Sequence, residues 1–295
     1  MTAAYLARAG LRTLVLEPRE RVGGQALTTE LVPGIRVPTL AHTVGRLSPA
    51  IVRELDLRRH GLSLLTPEAR VFAPTPDGDA ITLWAEPERT AAELRDRSPS
   101  DADAWPAFDR HVRSLARFLA TLAAAPPPEI RSPGAVDALL GLRVGWVFRS
   151  LPRPDRQELL RALPMAVADF VSDWLADDAL RAVVAWRGVR FSALGTRSAG
   201  TTAWLLTDST GADAGAAGEV ILARGGPGAL AEALALAARS AGAEIRTGAE
   251  VVAVTTDGER VTGVALADGE EIRAPVVAAA LDPKRLLTGL LDPAV

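Results

Sequence analysis

A chain of 295 residues with 48% hydrophobic and 23% charged residues has the composition of an ordinary soluble globular protein, long enough for one large domain or two smaller ones. The net charge of -3 supplies no basic footprint for general nucleic-acid binding. The absence of cysteine excludes structural disulfides, thiolate metal sites and a catalytic thiol.

The three histidines, His42, His60 and His111, never fall at i, i+4 spacing, which argues against a histidine metal site. Lys284 is the sole lysine among many arginines, the bias of GC-rich bacterial coding. No apolar run approaches about 18 residues, the length of a spanning helix. The first residues lack the cationic start and apolar core of a signal peptide. A cytoplasmic protein is the resulting expectation.

In chain order, residues 2–9 read as a short helix stopped by Gly10, a left-handed cap. Leu11 to Glu17 is an apolar run ending in an acid, the pattern of a buried parallel strand. Helix, glycine, strand and acid form the second half of a βαβ unit. The first strand and the Gly-x-Gly-x-x-Gly turn of such a unit are missing from the sequence. Residues 22–49, rich in Gly, Pro and Thr, read as loop with short extended pieces, and 49–59 as a helix ending before Gly61. Apolar runs on either side of Asp77-Gly78 predict two strands and a turn over 69–84.

From 88 to 187 the pattern is helical. Trp105, Phe108, Val112, Leu115, Phe118, Leu119 and Leu122 repeat with a helical period, and Pro126-Pro127-Pro128 ends that helix. Further helices are expected near 133–148, 154–163, 165–176 and 177–187. After 218 the pattern changes again: a strand at Glu219–Ala223, Gly225-Gly226-Pro227-Gly228, an alanine-rich helix capped by Gly242, then short strands. Those are Glu244–Arg246, Val251–Thr255, Val261–Leu266, Glu271–Ile272 and Val276–Ala279, with Asp257-Gly258 and Asp268-Gly269 as hairpin turns.

The fold class is therefore α/β: an incomplete Rossmann-like domain over 1–70 and 218–295, interrupted by a mainly helical domain over 71–217. An acid such as Glu17 at the end of the second strand of a dinucleotide fold accepts hydrogen bonds from ribose hydroxyls. The segment after it carries Arg21, Gly23 and Gly24. Adjacent glycines let backbone N–H groups approach an anionic oxygen, and Arg21 adds positive charge.

The run from Ala3 to Thr28, AAYLARAGLRTLVLEPRERVGGQALT, resembles the segment that follows the Gly-rich turn in FAD-dependent amine oxidases and phytoene desaturases. Within that superfamily it is most similar to the branch called pyridine nucleotide-disulphide oxidoreductase domain-containing protein 2. Pro33 to Leu62, Ser98 to Val112 and Arg224 to Val254 support the resemblance, which spans nearly the whole chain as one truncated at both ends. It implies an FAD-dependent oxidoreductase in which Glu17 holds the FAD ribose. Arg21, Gly23 and Gly24, with Gln25 beside them, line the pyrophosphate and the approach to the flavin, and Val251 meets the adenine through its backbone. Thr39 and His42 fall where the family's chain passes near the flavin. The helical middle becomes part of a substrate domain for a small, apolar molecule, with an unknown electron acceptor. No catalytic side chain is singled out, because the flavin carries the chemistry.

Other constellations are weaker. Ser192, Asp208 and a histidine lack the Gly-x-Ser-x-Gly elbow of a hydrolase. Asp101/Asp103 and Asp177/Asp178 sit at helix starts and read as caps, and Gly225-Gly226 lacks the Lys-Ser/Thr of a phosphate loop. The tryptophans of the helical half read mostly as core. The competing function is a non-catalytic remnant or protein-interaction module that no longer binds FAD. An NAD(P)-only dehydrogenase fits the Gly-Gly element less well.

Overall fold

The computed structural model describes residues 1–44, 47–123, 129, 131–132, 134–190, 192–210, 220–258 and 260–291. In chain order its elements are α1 (Thr2–Arg8), β1 (Leu14–Glu17), a 3-10 turn (Gly24–Ala26), β2 (Thr28–Val32), β3 (Ile35–Pro38), α2 (Pro49–Glu54), β4 (Leu64–Leu65), β5 (Ala69–Pro74) and β6 (Ala80–Trp84). The helical series follows: α3 (Pro87–Leu94), α4 (Pro99–Ala123), α5 (Ala135–Ser150), α6 (Arg153–Ala162), α7 (Val167–Ser172), α8 (Asp178–Ala185) and α9 (Thr201–Asp208). The chain then runs through β7 (Leu222–Ala223), α10 (Gly228–Ser240), β8 (Glu244–Thr247), β9 (Val251–Asp257), β10 (Arg260–Leu266), β11 (Glu271–Arg273) and α11 (Pro283–Arg285). Two compact units result: Met1–His42, Ile51–Ser63 and Ala223–Val295 in the first; Thr43–Ala50 and Leu64–Leu222 in the second.

In the first unit β1 pairs in parallel with β8, Leu14 opposite Glu244 and Glu17 opposite Thr247. The strand is shorter than the expected Leu11–Glu17 and half buried rather than buried, because among the described residues it has a strand on one side only. Gly10 takes the left-handed conformation that stops α1, at φ 84°. Helix α1 lies against α10. Their contact uses small side chains, with Ala4, Ala233, Ala237 and Ala238 all buried, so two backbones approach without large side chains between them. Strands β9, β10 and β11 form an antiparallel meander turned at Gly258 and Gly269, both at positive φ. Ala249, Val254, Val264 and Leu266 make its small core.

The loop expected over 22–49 contains a true hairpin, β2 with β3, turning at Pro33-Gly34. Val276–Ala279, expected as a strand, runs as irregular chain with Val276 exposed. A strand exists only as part of a ladder, and no neighbour among the described residues offers one. The Glu219–Ala223 strand shrinks to Leu222–Ala223; residue 219 and the proline triplet Pro126-Pro127-Pro128 lie outside the described residues.

The second unit is built on α4. Trp105, Phe108, Val112, Leu115 and Phe118 are buried along one face, as their spacing predicts, whereas Leu122 is exposed. Phe108 packs its ring against Trp105, Phe170 and Trp174 at centroid distances of 5.6, 6.2 and 5.9 Å. The other tryptophans depart from the core reading: Trp146, Trp186 and Trp204 are exposed. Helix α9 was not expected, yet it carries Leu205 and Leu206 into the core. β5 and β6 pair as the Asp77-Gly78 turn predicts.

The acidic pairs divide. Asp177 caps α8 by accepting from the Leu180 N–H at 2.8 Å. Asp101, buried, instead accepts from the N–H groups of Ala176 and Asp177 at 2.6 and 2.7 Å. It therefore satisfies the start of a distant helix rather than its own. Among the described residues no helix is long and apolar enough to cross a membrane.

Candidate functional site

The candidate site grows from the end of β1. Glu17 is half buried there, and its carboxylate accepts from the Arg19 backbone N–H at 3.1 Å. Past the ladder the two chains stay joined: Ala249 N–H donates to the Glu17 carbonyl and Gly248 N–H to the Arg19 carbonyl, each at 3.0 Å. These bonds carry the chain from β8 past Glu17 into β9, whose first residue is Val251. Strand β9 is an edge of its three-stranded sheet among the described residues, so part of its backbone faces outward from the ladder.

Between Glu17 and the 3-10 turn, the Arg19 guanidinium reaches the Gly24 carbonyl at 3.3 Å and closes residues 19–24 into a loop. Both glycines occupy the positive-φ region, Gly23 at 135° and Gly24 at 53°, where a side chain is strained. Their roles differ. A Cβ on Gly23 would lie 3.0 Å from the Ala231 Cβ of α10, whereas a Cβ on Gly24 would meet nothing within 4 Å. Gly23 is a packing glycine; Gly24 is an open one, with space in front of its backbone.

Arg21 points at α10, its Nη2 2.5 Å from Glu232 Oε1, with both side chains about half exposed. Such a pair contributes about 0–1 kcal/mol. Gln25 is exposed in the 3-10 turn, and its carbonyl accepts from the Ala41 N–H at 3.1 Å. Thr39 N–H donates to the Leu27 carbonyl at 2.8 Å, so residues 39–41 run beside 25–27. His42 is exposed, its Nδ1 3.0 Å from the Leu40 carbonyl. Arg19 thus links the Glu17 carboxylate, through its backbone N–H, to the Gly24 carbonyl, through its guanidinium, while the backbone leads from beside Glu17 to Val251, with Gly23 seated on α10 and the Arg21 guanidinium held by Glu232.

Two residues escaped the sequence reading. Arg19 had a local signal, a cation two positions past the acid. Thr28 had none, because its partner Gly228 is 200 residues away. The hydrolase alternative loses its geometry: Asp208 is bound by Arg187 at 2.7 Å and by Arg190 at 2.6 Å, while Ser192 Oγ donates to the Val189 carbonyl. Among the described residues no cluster of three His, Asp or Glu could hold a metal.

The profile of the family described as flavin containing amine oxidoreductase matches residues 1–295. The chain is similar to pyridine nucleotide-disulfide oxidoreductase domain-containing protein 2 of Rattus norvegicus, with 28% identity over 298 residues, covering 96% of this chain and 51% of the relative. It is also similar to the hydroxyneurosporene desaturase of Cereibacter sphaeroides, at 29% identity, covering 98% of this chain and 55% of the relative. Among solved structures, a putrescine oxidase variant aligns with a TM-score of 0.55 at 16% identity, over 99% of this chain and 57% of that one. At that identity the likeness speaks for the fold alone. The chain spans about half the length of the curated relatives it matches. The chain belongs to the flavin containing amine oxidoreductase family, whose members are flavoproteins with FAD as cofactor.

Proposed function

We propose that this protein acts as an FAD-dependent oxidoreductase of the desaturase or amine-oxidase kind, on a small, apolar molecule. The observation that carries the reading is the pairing of Glu17, at the end of a parallel strand, with the open backbone at Gly24 a few residues later. The donor set suits the cofactor. A carboxylate accepts from two adjacent ribose hydroxyls at once, and a backbone without a Cβ admits the pyrophosphate oxygens.

In this reading the first unit holds the cofactor. Glu17 binds the ribose, and Gly24 admits the pyrophosphate; Gly23, Gln25 and Arg21 shape and neutralise the approach; the Val251 backbone meets the adenine. Arg19 keeps the Glu17–Gly24 segment curled. The second unit belongs to the substrate domain. When bound, FAD supplies the two-electron acceptor for a hydride from a substrate C–H or N–H bond. The apolar character of the substrate rests on the hydroxyneurosporene desaturase relative. The electron acceptor is unassigned.

The test is a visible absorption spectrum of the protein purified from its complete reading frame. Flavin bands near about 375 and 450 nm, retained through gel filtration, are expected. A folded protein that shows no such bands, and gains none after incubation with FAD, would mean a non-catalytic remnant or interaction module instead.

A further inference from the structure

The glycine-rich loop before α10 is not a phosphate loop, and its geometry says what it is for. Thr28, the first residue of β2, is 3% exposed, and its Oγ1 accepts from the Gly228 N–H at 3.0 Å. The fit leaves no slack. A Cβ on Gly226 would lie 2.5 Å from Thr28 Oγ1, and one on Gly228 would lie 2.8 Å from the Thr28 backbone nitrogen. Gly226 also sits at φ 84°. Gly226 and Gly228 are glycine because Thr28 occupies the space their side chains would need.

The same helix carries Ala231, the seat of Gly23, one turn beyond Gly228. The segment from Gly23 to Thr28 is therefore fastened to α10 at both ends: Gly23 on Ala231, and Thr28 on Gly226 and Gly228. The first N–H groups of a helix attract anions, but the Gly228 N–H is already spent on Thr28. Anion recognition falls to the turn, and α10 becomes its brace.

We propose that Thr28 is a positioning residue for FAD: its hydroxyl locks the start of α10 to β2 and thereby fixes the open backbone at Gly24. This inference rests on the reading of Glu17 and Gly24 as the cofactor site. The Thr28 hydroxyl touches no cofactor atom in this account; it acts through the turn. Removing it leaves a buried N–H without its acceptor, and the turn then loses one of its two anchors.

The experiment measures FAD affinity by flavin fluorescence, together with the visible circular dichroism of bound flavin, on protein from the complete reading frame. The variants are Thr28→Val, which keeps shape but not hydroxyl, and Thr28→Ser, which keeps the hydroxyl. Measurements are made at a temperature where far-ultraviolet circular dichroism shows all proteins folded. Thr28→Val is expected to weaken FAD binding about tenfold and to alter the flavin dichroism, while Thr28→Ser restores both. If Thr28→Val does not fold, Thr28→Ala, which also removes the hydroxyl but adds no bulk, carries the test, with a loss of similar size expected.

Wild-type affinity and dichroism in a folded Thr28→Val protein, or in Thr28→Ala where that variant decides, would overturn the lock alone. Equal losses in Thr28→Val and Thr28→Ser would also overturn it, since shape rather than the hydroxyl would then be responsible. Failure of the wild-type protein to bind FAD would remove the cofactor-site reading and the lock with it.

Discussion

The turn of the first unit and the core of the second are tight in opposite senses. Around α4 the space is filled by large side chains: Trp105, Phe108 and Phe170 are among the largest fully buried residues. Around the start of α10 it is filled by small groups, the Thr28 side chain and backbone nitrogen and the Ala231 methyl, which leave no room for a Cβ at Gly226 or Gly228 and little at Gly23. One region breaks when volume is taken away, the other when a single carbon is added. A scaffold that presents side chains to an apolar molecule needs the first kind of packing. A turn that presents backbone N–H groups to an anion needs the second.

Subtraction in the helical unit gives the largest expected effects. Phe108→Ala removes a ring that contacts three other aromatics and should cost about 3–5 kcal/mol in urea denaturation. Asp208→Ala should cost a similar amount, about 3–5 kcal/mol, by stripping the carboxylate from buried Arg187 and part-buried Arg190. A loss below about 1 kcal/mol in the second case would mean that the cluster is hydrated rather than buried.

Addition in the turn comes next and separates its two kinds of glycine. Gly226→Ala should destabilise by about 2–4 kcal/mol, from collision with Thr28 together with positive-φ strain. Gly24→Ala meets open space and should cost only about 1 kcal/mol. For FAD the proposed site predicts the reverse order among folded proteins, because the Gly24 methyl would stand at the proposed approach of the pyrophosphate, whereas Gly226 acts on it only through Thr28. Equal effects at both positions, on stability and on FAD, would dissolve the distinction between packing and open glycines.

The smallest effect concerns pH. His111 stacks on Trp174 at 5.1 Å, with its Nδ1 3.8 Å from Asp155; Nε2 is buried with no hydrogen-bond partner among the described residues. Burial lowers its pKa below the ordinary 6.5, with Arg161 pushing the same way and Asp155 and Glu158 opposing. The unfolded chain therefore binds the proton more readily. Stability is unpenalised above pH 6.5 and falls as pH drops from there through the folded value. His111→Phe should flatten that part of the pH–stability profile, with a gain of about 1 kcal/mol or less below pH 6. An unchanged slope would assign the pH dependence to other groups.

How much was legible followed the range of the forces involved. The strand ending at Glu17 and the turn at Gly23 and Gly24 could be read because strand, acid and turn are neighbours in sequence. The α4 stripe could be read because one helix face repeats locally. Asp77-Gly78, Asp257-Gly258 and Asp268-Gly269 announced their hairpins for the same reason. Thr28 could not be read, since its bond to Gly228 spans 200 residues. Nor could the true partners of Asp101, 75 and 76 residues away, which local capping logic assigned to its own helix. Helix α9 was hidden by its shortness and its threonines, and it forms because Leu205 and Leu206 complete a core made by other helices. Val276–Ala279 shows the converse: an apolar run with strand composition is no strand where a partner is lacking.

The central claim is that the acid at the end of β1 and the open turn after it hold FAD. Glu17→Ala tests it most directly, in protein from the complete reading frame, with FAD affinity and thermal stability of the cofactor-free protein measured side by side. Loss of the charged acceptor for the ribose hydroxyls should weaken FAD about 10- to 100-fold, while the cofactor-free protein melts within a few degrees of wild type, because Glu17 is only half buried. Undiminished FAD affinity in the variant would contradict the account, since the cofactor would then be held elsewhere.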